Sequence, residues 1–190
     1  MTNLLTQLQQ RNSAPRLVEP APDAAALREM FRAALRAPDH AWLQPWRFVV
    51  IEDSARYELG KVFESALLES DTKADEAARD KARQAPLRAP LLVTTICSLT
   101  EHPKVPREEQ LISSGCAAYA MLLAAEAQGY AGIWRTGSVA RSRRVKRALG
   151  LQRHEEIVGF LYFGSRKGGA KNLPKREPGQ YVSYWESPVD

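Results

Sequence analysis

The chain has 190 residues, of which 44% are hydrophobic and 26% are charged, so it is long enough for one globular domain with a substantial core. It carries 27 Lys and Arg against 22 Asp and Glu, a formal net charge of +5, which permits an anionic ligand without requiring one. The basic residues are spread along the whole chain, which excludes a basic tail and argues against a nucleic-acid partner. We expect no signal peptide and no membrane span, because no apolar stretch is long enough for either.

The few cysteines and histidines indicate neither disulfides nor a metal site. Cys97 and Cys116 lie in apolar surroundings, where buried thiols acting as small hydrophobes are the usual finding. This usage is typical of the reducing cytoplasm, so we expect a cytoplasmic protein. His40, His102 and His154 lack the spacing of metal ligands, and we expect no metal.

Hydrophobic patterning and helix-terminal residues predict the elements of the first half of the chain. Leu4 to Leu8 form a short amphipathic helix, and an irregular loop follows as far as Pro22. Asp23 caps a second helix that ends before Pro38. The remaining predicted elements of this half are a polar and aromatic loop, a buried strand at 47–52, a helix from Asp53, and a charged helix from about 72 to 85; both of these helices are expected to be peripheral.

The second half predicts three more strands around one long helix. The strands are expected at 91–97, 130–137 and 156–165, the long helix at 107–129, and a short basic helix at 141–150. The last strand is apolar at almost every position and therefore lies inside a sheet. The segment 166–190 is a tail whose Tyr181, Tyr184 and Trp185 indicate that it docks on its own chain or wraps a partner subunit.

The stretch from Arg107 to Gly129 is the most informative segment of the sequence. It carries no charge from Leu111 to Ala125 and is rich in Ala, Ser and Gly, so we expect it to be buried on most faces. Its small residues allow the close approach of other helices or of a symmetry mate. Glu108 and Glu109 lie in the first turn, where the helix dipole favours anions, and Gly129 is placed to end the helix.

Four strands and five or six helices without strict βαβ alternation predict a layered α+β fold in a single domain, residues 1–190. No glycine-rich turn follows the first strand, which excludes a Rossmann fold. A phosphate-binding P-loop and a hydrolase nucleophile elbow are also absent from the sequence.

Three polar clusters at element ends are candidates for ligand binding: Arg11-Asn12-Ser13, the segment from Arg36 to Gln44, and Trp134-Arg135-Thr136. Guanidinium groups suit a phosphate, amides and hydroxyls suit a polar heterocycle and its ribityl chain, and aromatic rings shield the heterocycle. No pair of side chains is arranged as nucleophile and base, so we expect no catalytic side chain and infer that a cofactor supplies the chemistry.

The joint pattern resembles the nitroreductase family. The residues that carry the resemblance are an Arg-x-Ser near the N-terminus, RAPDH at the end of a helix, QPWRF entering the first strand, the alanine-rich helix, and GIWRTG behind it. The resemblance runs from Leu4 to Gly164 and is greatest to the short, single-domain NAD(P)H nitroreductases. It implies a three-layer α+β fold, a central mixed or antiparallel sheet flanked by helices, in an intertwined homodimer with FMN at the interface.

Carried over by position, the resemblance implies a set of cofactor-binding residues. The FMN set is Arg11, Asn12, Ser13, Arg36, His40, Gln44, Trp134, Arg135 and Thr136, with Arg36 and His40 supplied by the partner subunit. Close relatives have Arg at the position of Asn12, where this chain departs from them. The set implied for the nicotinamide nucleotide is Ala124, Ala125, Glu126, Ala127, Gln128 and Gly129, although a helix C-terminal turn offers carbonyl groups rather than donors for a phosphate.

The implied activity is an FMN-dependent NAD(P)H nitroreductase. Electrons pass from NADH or NADPH through FMN to nitroaromatic compounds, quinones or similar acceptors by a ping-pong mechanism, with Arg11 or Arg135 as the cation beside the flavin ring. One alternative keeps the fold and changes the redox reaction, to that of a dehydrogenase, dehalogenase or flavin reductase. Another is a nucleic-acid-binding module that uses the basic run 141–147, for which a solvated helix face is the simpler interpretation.

Overall fold

A five-stranded antiparallel sheet forms the centre of the computed structural model, which describes residues 4–186. The strands are β1 (Leu17–Val18), β2 (Trp46–Glu52), β3 (Leu91–Ser98), β4 (Ala131–Arg135) and β5 (Glu155–Arg166). Strand β5 pairs with β3, β4 and β1, and β3 also pairs with β2. The prediction that the last apolar strand is interior to the sheet is confirmed, because β5 has neighbours along its whole length.

Helices cover both faces of the sheet, so the predicted three-layer α+β architecture is confirmed. The helices are α1 (Leu4–Gln10), α2 (Ala24–Ala34), α3 (Asp53–Ser70), α4 (Glu76–Gln84), α5 (Arg107–Ala127), α6 (Ser138–Arg141) and α7 (Arg143–Ala148). Short 3-10 turns lie at His40–Trp42, Ala85–Arg88 and Pro178–Gln180. Among residues 4–186, none of the helices combines the length and apolar character needed to cross a membrane.

The two faces of the sheet have separate cores, as the alternation of β5 side chains requires. Phe160 and Tyr162 point to the face covered by α3, α6 and α7, while Leu161 and Phe163 point to the face covered by α2 and α5. Helix α3 is not peripheral, contrary to expectation: its Phe63 is 2% exposed and meets Phe160 edge-on at 5.3 Å between ring centroids.

Two local predictions are wrong. The expected irregular loop before Pro22 contains β1, whose Leu17 and Val18 pair with the far end of β5. The expected single basic helix at 141–150 is two helices, α6 and α7, divided at Ser142, whose extended backbone lets its hydroxyl cap α7 by accepting from Val145 N–H at 3.4 Å.

A buried carboxylate joins the start of β5 to β2 and β3. Glu155 is 4% exposed and accepts two hydrogen bonds from the Arg47 guanidinium, at 2.6 and 2.7 Å. The Ser98 hydroxyl donates to it at 2.6 Å and the Gln152 N–H at 2.8 Å. The bond from Arg47 is the largest cause that lowers the pKa of Glu155 to about 2, against the opposing effect of burial.

This lowered pKa predicts a specific acid sensitivity. The stabilisation is present above the unfolded-state pKa near 4.5 and is lost as pH falls towards 2. The full pKa difference corresponds to just under about 2 kcal/mol between pH 5 and pH 3, and solvent screening of the partly exposed Arg47 reduces it. We therefore expect the gap in unfolding free energy between wild type and Glu155→Gln to shrink by about 1 kcal/mol over this range. Urea unfolding at both pH values measures this gap. Glu58→Gln is the control, because it breaks an exposed ion pair with Lys61. The difference in unfolding free energy between wild type and Glu58→Gln should be the same at both pH values. An equally constant difference between wild type and Glu155→Gln would contradict the account.

Candidate functional site

The first predicted cluster lies at the C-terminal end of α5. The Asn12 N–H donates to Glu126 Oε1 at 3.4 Å, and the Ala14 N–H donates to the Gly132 carbonyl at 3.0 Å. The Arg11 guanidinium donates to the Ser13 hydroxyl at 3.4 Å, and this is its one hydrogen bond within residues 4–186. The segment is therefore fixed by its backbone, while the Arg11 side chain keeps most of its donors available.

Asn12 has a structural partner that the sequence did not reveal. The residue is 7% exposed, and its side-chain amide donates to the Lys171 carbonyl at 2.7 Å. Its own carbonyl accepts from the Arg166 guanidinium at 2.7 Å. Asn12 thus ties the start of the tail to the first cluster, and its amide is already committed to that contact.

The stretch predicted to bind the nicotinamide nucleotide is the terminus of α5. The Gln128 amide donates to the Ala26 carbonyl at 3.3 Å and to the Ala124 carbonyl at 3.0 Å, and Gly129 has φ +84°. Burial raises the pKa of Glu126, while the Asn12 N–H and the nearby Arg11 act to lower it. These contacts account for Gln128 and Gly129 as helix-ending residues, so a nicotinamide role for 124–129 stays a prediction.

The third cluster is the end of β4, and its two large side chains lie on opposite faces of the sheet. Trp134 points to the α5 face, where its indole N–H donates to the Val158 carbonyl at 3.3 Å. A Cβ added at Gly159 would lie 1.9 Å from this indole nitrogen, and one at Gly115 of α5 would lie 3.6 Å from the ring. Gly159 thus leaves the space that the indole fills, whereas a Cβ at Gly115 would make only an ordinary van der Waals contact with the ring.

Arg135 points to the opposite face, because successive side chains of a strand alternate. Its guanidinium lies 5.6 Å from the centroid of the Tyr162 ring, and its Nε is buried without a hydrogen-bond partner in the part of the chain that the structure describes. Burial raises the pKa of Tyr162 to about 12, so this tyrosine stays neutral beside the cation. Thr136 follows at the strand end and is exposed.

The second cluster lies at the N-terminal end of α5. His40 Nδ1 is 2.8 Å from Glu109 Oε2 in the first turn of that helix. The Gln44 N–H donates to Asp39 Oδ2 at 2.7 Å. Glu109 is the residue that sequence reasoning missed here, since only its helix-dipole role was visible in the sequence.

The loop that carries His40 and Gln44 is strained. Ala41, Trp42 and Gln44 have φ of 61°, 56° and 48°, a region that side chains with a Cβ rarely occupy. Trp42 is 80% exposed, which is unusual for a tryptophan. Such strain is concentrated at functional sites, and it costs about 1 to 3 kcal/mol per residue.

Next to this loop lies a small cavity of about 110 Å³. Trp42, Trp46, Arg36 and Gln44 contribute to its lining. The Arg36 guanidinium and the Gln44 side-chain amide make no hydrogen bond or ion pair to any residue between 4 and 186. The cavity therefore has unused donors on Arg36, just after α2, and on Gln44, in the strained loop, and both lie beside two indole rings.

A single chain does not bring the first and second clusters together. Glu126, at the first cluster, and Glu109, at the second, are 17 residues apart on one continuous helix. At 1.5 Å per residue the two clusters are therefore about 25 Å apart. The third cluster lies between them, since Trp134 faces Gly115 in the middle of α5.

Within one chain, the face of α5 between the clusters is partly open, so burial on most faces stays a prediction that needs a second copy. Ala117, Ala118 and Met121 are fully buried against α2 and the sheet. On the other side, Ile112 is 66% exposed and Tyr119 is 39% exposed. Helix α1 continues this open apolar surface, since its Gln7 amide bonds to the Leu123 carbonyl at 3.1 Å and its Leu4 is exposed.

Comparison with known proteins agrees with this architecture. The family model described as the nitroreductase family matches residues 8–165. YdjA of Escherichia coli (strain K12), whose name assigns it as an NAD(P)H nitroreductase, is 45% identical over 178 residues, which cover 92% of this chain and 95% of YdjA. A nitroreductase-like family protein from Bacillus cereus superposes with a TM-score of 0.83 at 19% identity, covering 98% of each chain. A nitroreductase with bound FMN from Bacteroides fragilis has a TM-score of 0.72 at 20% identity, covering 98% of this chain and 100% of its own.

The fold is thus that of the nitroreductase-like α+β proteins, with an antiparallel sheet flanked by helices. The chain belongs to the nitroreductase family, a family of oxidoreductases.

A double-mutant cycle tests whether the Trp134 indole occupies the space next to Gly159. Gly159→Ala places a Cβ against the indole, so we expect it to destabilise the protein by about 1 to 3 kcal/mol through overpacking. In a Trp134→Ala background, Gly159→Ala should lower the free energy of unfolding by at least about 1 kcal/mol less than in wild type, because the indole ring is no longer there. Urea unfolding of the four proteins gives the coupling energy. Equal costs in both backgrounds would show that the indole does not occupy this space.

Proposed function

We propose that the chain is an FMN-dependent oxidoreductase that takes electrons from NADH or NADPH and passes them to nitroaromatic compounds, quinones or similar acceptors in a ping-pong reaction. Membership of the nitroreductase family supports the reaction class. The name of YdjA supports the electron donor, and the FMN-bound relative from Bacteroides fragilis supports the cofactor. The protein acts as a homodimer with FMN at the interface.

The placement of the polar clusters at opposite ends of α5 is the observation that carries this proposal. FMN is shorter than the separation of about 25 Å, so the cofactor cannot reach both clusters within one chain. A two-fold dimer in which the α5 helices run antiparallel brings the first cluster of each chain beside the second cluster of the other. The apolar face around Ile112 and Tyr119 would then be buried between the copies.

The residues present fit FMN by their donor chemistry. Arg11 and Arg36 offer guanidinium N–H groups that are largely unused among residues 4–186, and these suit a phosphate or a ring carbonyl. The Gln44 amide and the Ser13 hydroxyl can bond the polar edge of a heterocycle or a ribityl hydroxyl. Trp42 is already exposed beside Arg36, where an aromatic ligand would cover it.

When bound, FMN supplies the redox chemistry, as acceptor of a hydride from the nicotinamide and donor of electrons to the second substrate. The chain supplies position and charge. Arg11 would supply the cation that stabilises negative charge on the bound cofactor, since most of its donors are unused within residues 4–186. Glu109 pairs with Nδ1 of His40, which restricts the orientation of the imidazole ring.

The side-chain positions divide the remaining predicted residues into three roles. The Arg135 side chain lies over Tyr162, on the face of the sheet opposite α5. We therefore propose that Arg135 contacts the cofactor through its backbone groups. Trp134 lies on the α5 face of the sheet and Thr136 lies at the end of β4, so both remain candidates to contact the cofactor through their side chains. Asn12 contributes by positioning Arg11 and the tail.

The tail extends the same interface. Residues from Lys167 onward are exposed along the described chain, including Tyr181, Tyr184 and Trp185. Exposed aromatic side chains of this size are typical of surfaces that contact a partner. The start of the predicted tail is held on its own chain, since Arg166 and Lys171 both bond to Asn12. We propose that residues 172–186 wrap the second copy; positions 187–190 of the predicted tail lie outside the described residues. The free thiols Cys97 and Cys116 fit a cytoplasmic protein.

A visible spectrum followed by anaerobic titration tests the function. We expect the purified protein to be yellow, and its flavin absorbance to bleach with NADH or NADPH and to return when nitrobenzene or benzoquinone is added. Arg11→Ala should weaken FMN binding about tenfold or more, because it removes charge-assisted hydrogen bonds. Arg16→Ala, which removes an exposed arginine of the neighbouring loop, is the matched control and should leave FMN affinity unchanged. A protein that stays colourless after incubation with FMN would contradict the proposal.

A further inference from the structure

A groove of about 800 Å³ runs between α3, α4 and α6, on the opposite face of the sheet from α5. Its floor is apolar and includes Phe63, Ala66, Leu67, Ala82 and Val139. The volume is within the range of small-molecule sites. The groove uses none of the residues predicted to bind FMN.

Helices α3 and α4, which form one side of the groove, pack tightly against each other. A Cβ added at Gly60 of α3 would lie 2.3 Å from the Arg83 carbonyl of α4, so the two backbones touch at this point. Glu64 of α3 accepts hydrogen bonds from Arg79 at 2.8 Å and from Arg83 at 2.7 Å. These contacts hold the floor and one side of the groove in place without a ligand.

The rim of the groove carries an excess of unpaired positive charge. Lys81, Arg88, Arg141 and Arg143 lie along it, and none of the four makes an ion pair or side-chain hydrogen bond within residues 4–186. The one acid of the lining, Glu69, is bound to Arg144 Nε at 2.6 Å. The groove therefore combines an apolar floor with cations that have no counter-charge in the described chain.

This arrangement also divides the basic run 141–147. Arg144 pairs with Glu69, and Lys146 pairs with Glu156. Arg141 and Arg143 instead line the groove. Two of the five cations of the run are thus neutralised within the described residues, which lowers the positive charge that the run could offer to a nucleic-acid backbone.

We propose that this groove binds a small amphipathic carboxylate, an apolar chain or ring that ends in a carboxyl group. The apolar part covers the floor around Leu67 and Val139, where burial of apolar surface stabilises the complex. The carboxylate lies between Arg141 and Arg143, whose guanidinium groups match it in charge and in planar hydrogen-bonding geometry. The site is separate from the proposed flavin site and does not depend on it.

Calorimetric titration of decanoate into the FMN-loaded protein tests the proposal. We expect one decanoate per chain, and at least about tenfold weaker binding of decyltrimethylammonium, which has the same chain and the opposite charge. The double variant Arg141→Gln/Arg143→Gln should weaken decanoate about tenfold or more through loss of charge-assisted bonds. Ala78→Trp, which places an indole in the groove and keeps all four cations, should weaken decanoate binding about tenfold or more by taking up space on the apolar floor.

A matched control removes the same charge elsewhere. Arg28→Gln/Arg153→Gln replaces two exposed arginines outside the groove and should leave decanoate affinity within about twofold, as expected when no direct bond is lost. Thermal unfolding of each variant verifies that it is folded. Three results would overturn the proposal. Decanoate and decyltrimethylammonium could bind equally well, or Arg28→Gln/Arg153→Gln could weaken decanoate binding as much as Arg141→Gln/Arg143→Gln does. The third is that the protein binds a single-stranded oligonucleotide and does not bind decanoate.

Discussion

The close packing of α5 against α2 and the sheet is the contact on which the other features depend. Ala117, Ala118 and Ala125 are fully buried in it, so backbones approach where larger side chains would hold them apart. At Gly132 of β4 a Cβ would lie 2.7 Å from a methyl carbon of Leu122. Helix α5 is therefore held in one position over the sheet, and its two ends become fixed points for the loops that reach them.

Each polar cluster is attached to one of these fixed points. Glu126 receives the Asn12 N–H at one end, and Glu109 meets His40 at the other. A rigid helix keeps these ends apart, so no rearrangement of the loops within one chain brings the clusters together. Under the proposed function, the open face around Ile112 and Tyr119 is the surface that a second copy would cover to complete the site.

The sheet also separates two sets of charged groups. On the α5 face lie the clusters with unused donors, next to the strained loop around Trp42. On the other face lie Arg135, the neutral Tyr162 and the cationic groove. Strand alternation produces this division, because Trp134 and Arg135 are neighbours in sequence and point to opposite sides.

Much of the fold could be predicted from local pattern. The strand predicted at 47–52 is Trp46–Glu52, and the helix predicted at 107–129 is Arg107–Ala127. Apolar runs and terminal Glu, Pro and Gly residues act within a few positions, so the sequence displays them directly. Strand β1 has two residues and exists only through pairing with β5 about 150 positions away, which no local pattern can reveal.

The residue types of the candidate site can be read from the sequence, and the arrangement of those residues cannot. Its residues stand at element ends, where polar side chains are easily recognised in a sequence. The bond from Asn12 to Lys171, the pairing of His40 with Glu109, and the face on which Arg135 lies all depend on contacts between distant segments. The open side of α5 was hidden for a related reason: composition shows that a helix is apolar without showing what covers it.

Subunit complementation tests most directly whether two copies complete one site. Arg11→Ala and Arg36→Ala subunits would be mixed, exchanged under mild denaturant and refolded with FMN, and the heterodimer, isolated by two different affinity tags, would be assayed for bound flavin. If Arg11 of one chain and Arg36 of the other serve the same cofactor, each heterodimer has one intact site and one doubly altered site, and binds one FMN with wild-type affinity. If both residues serve the cofactor of their own chain, neither site in the heterodimer regains that affinity, and the shared-site account is wrong.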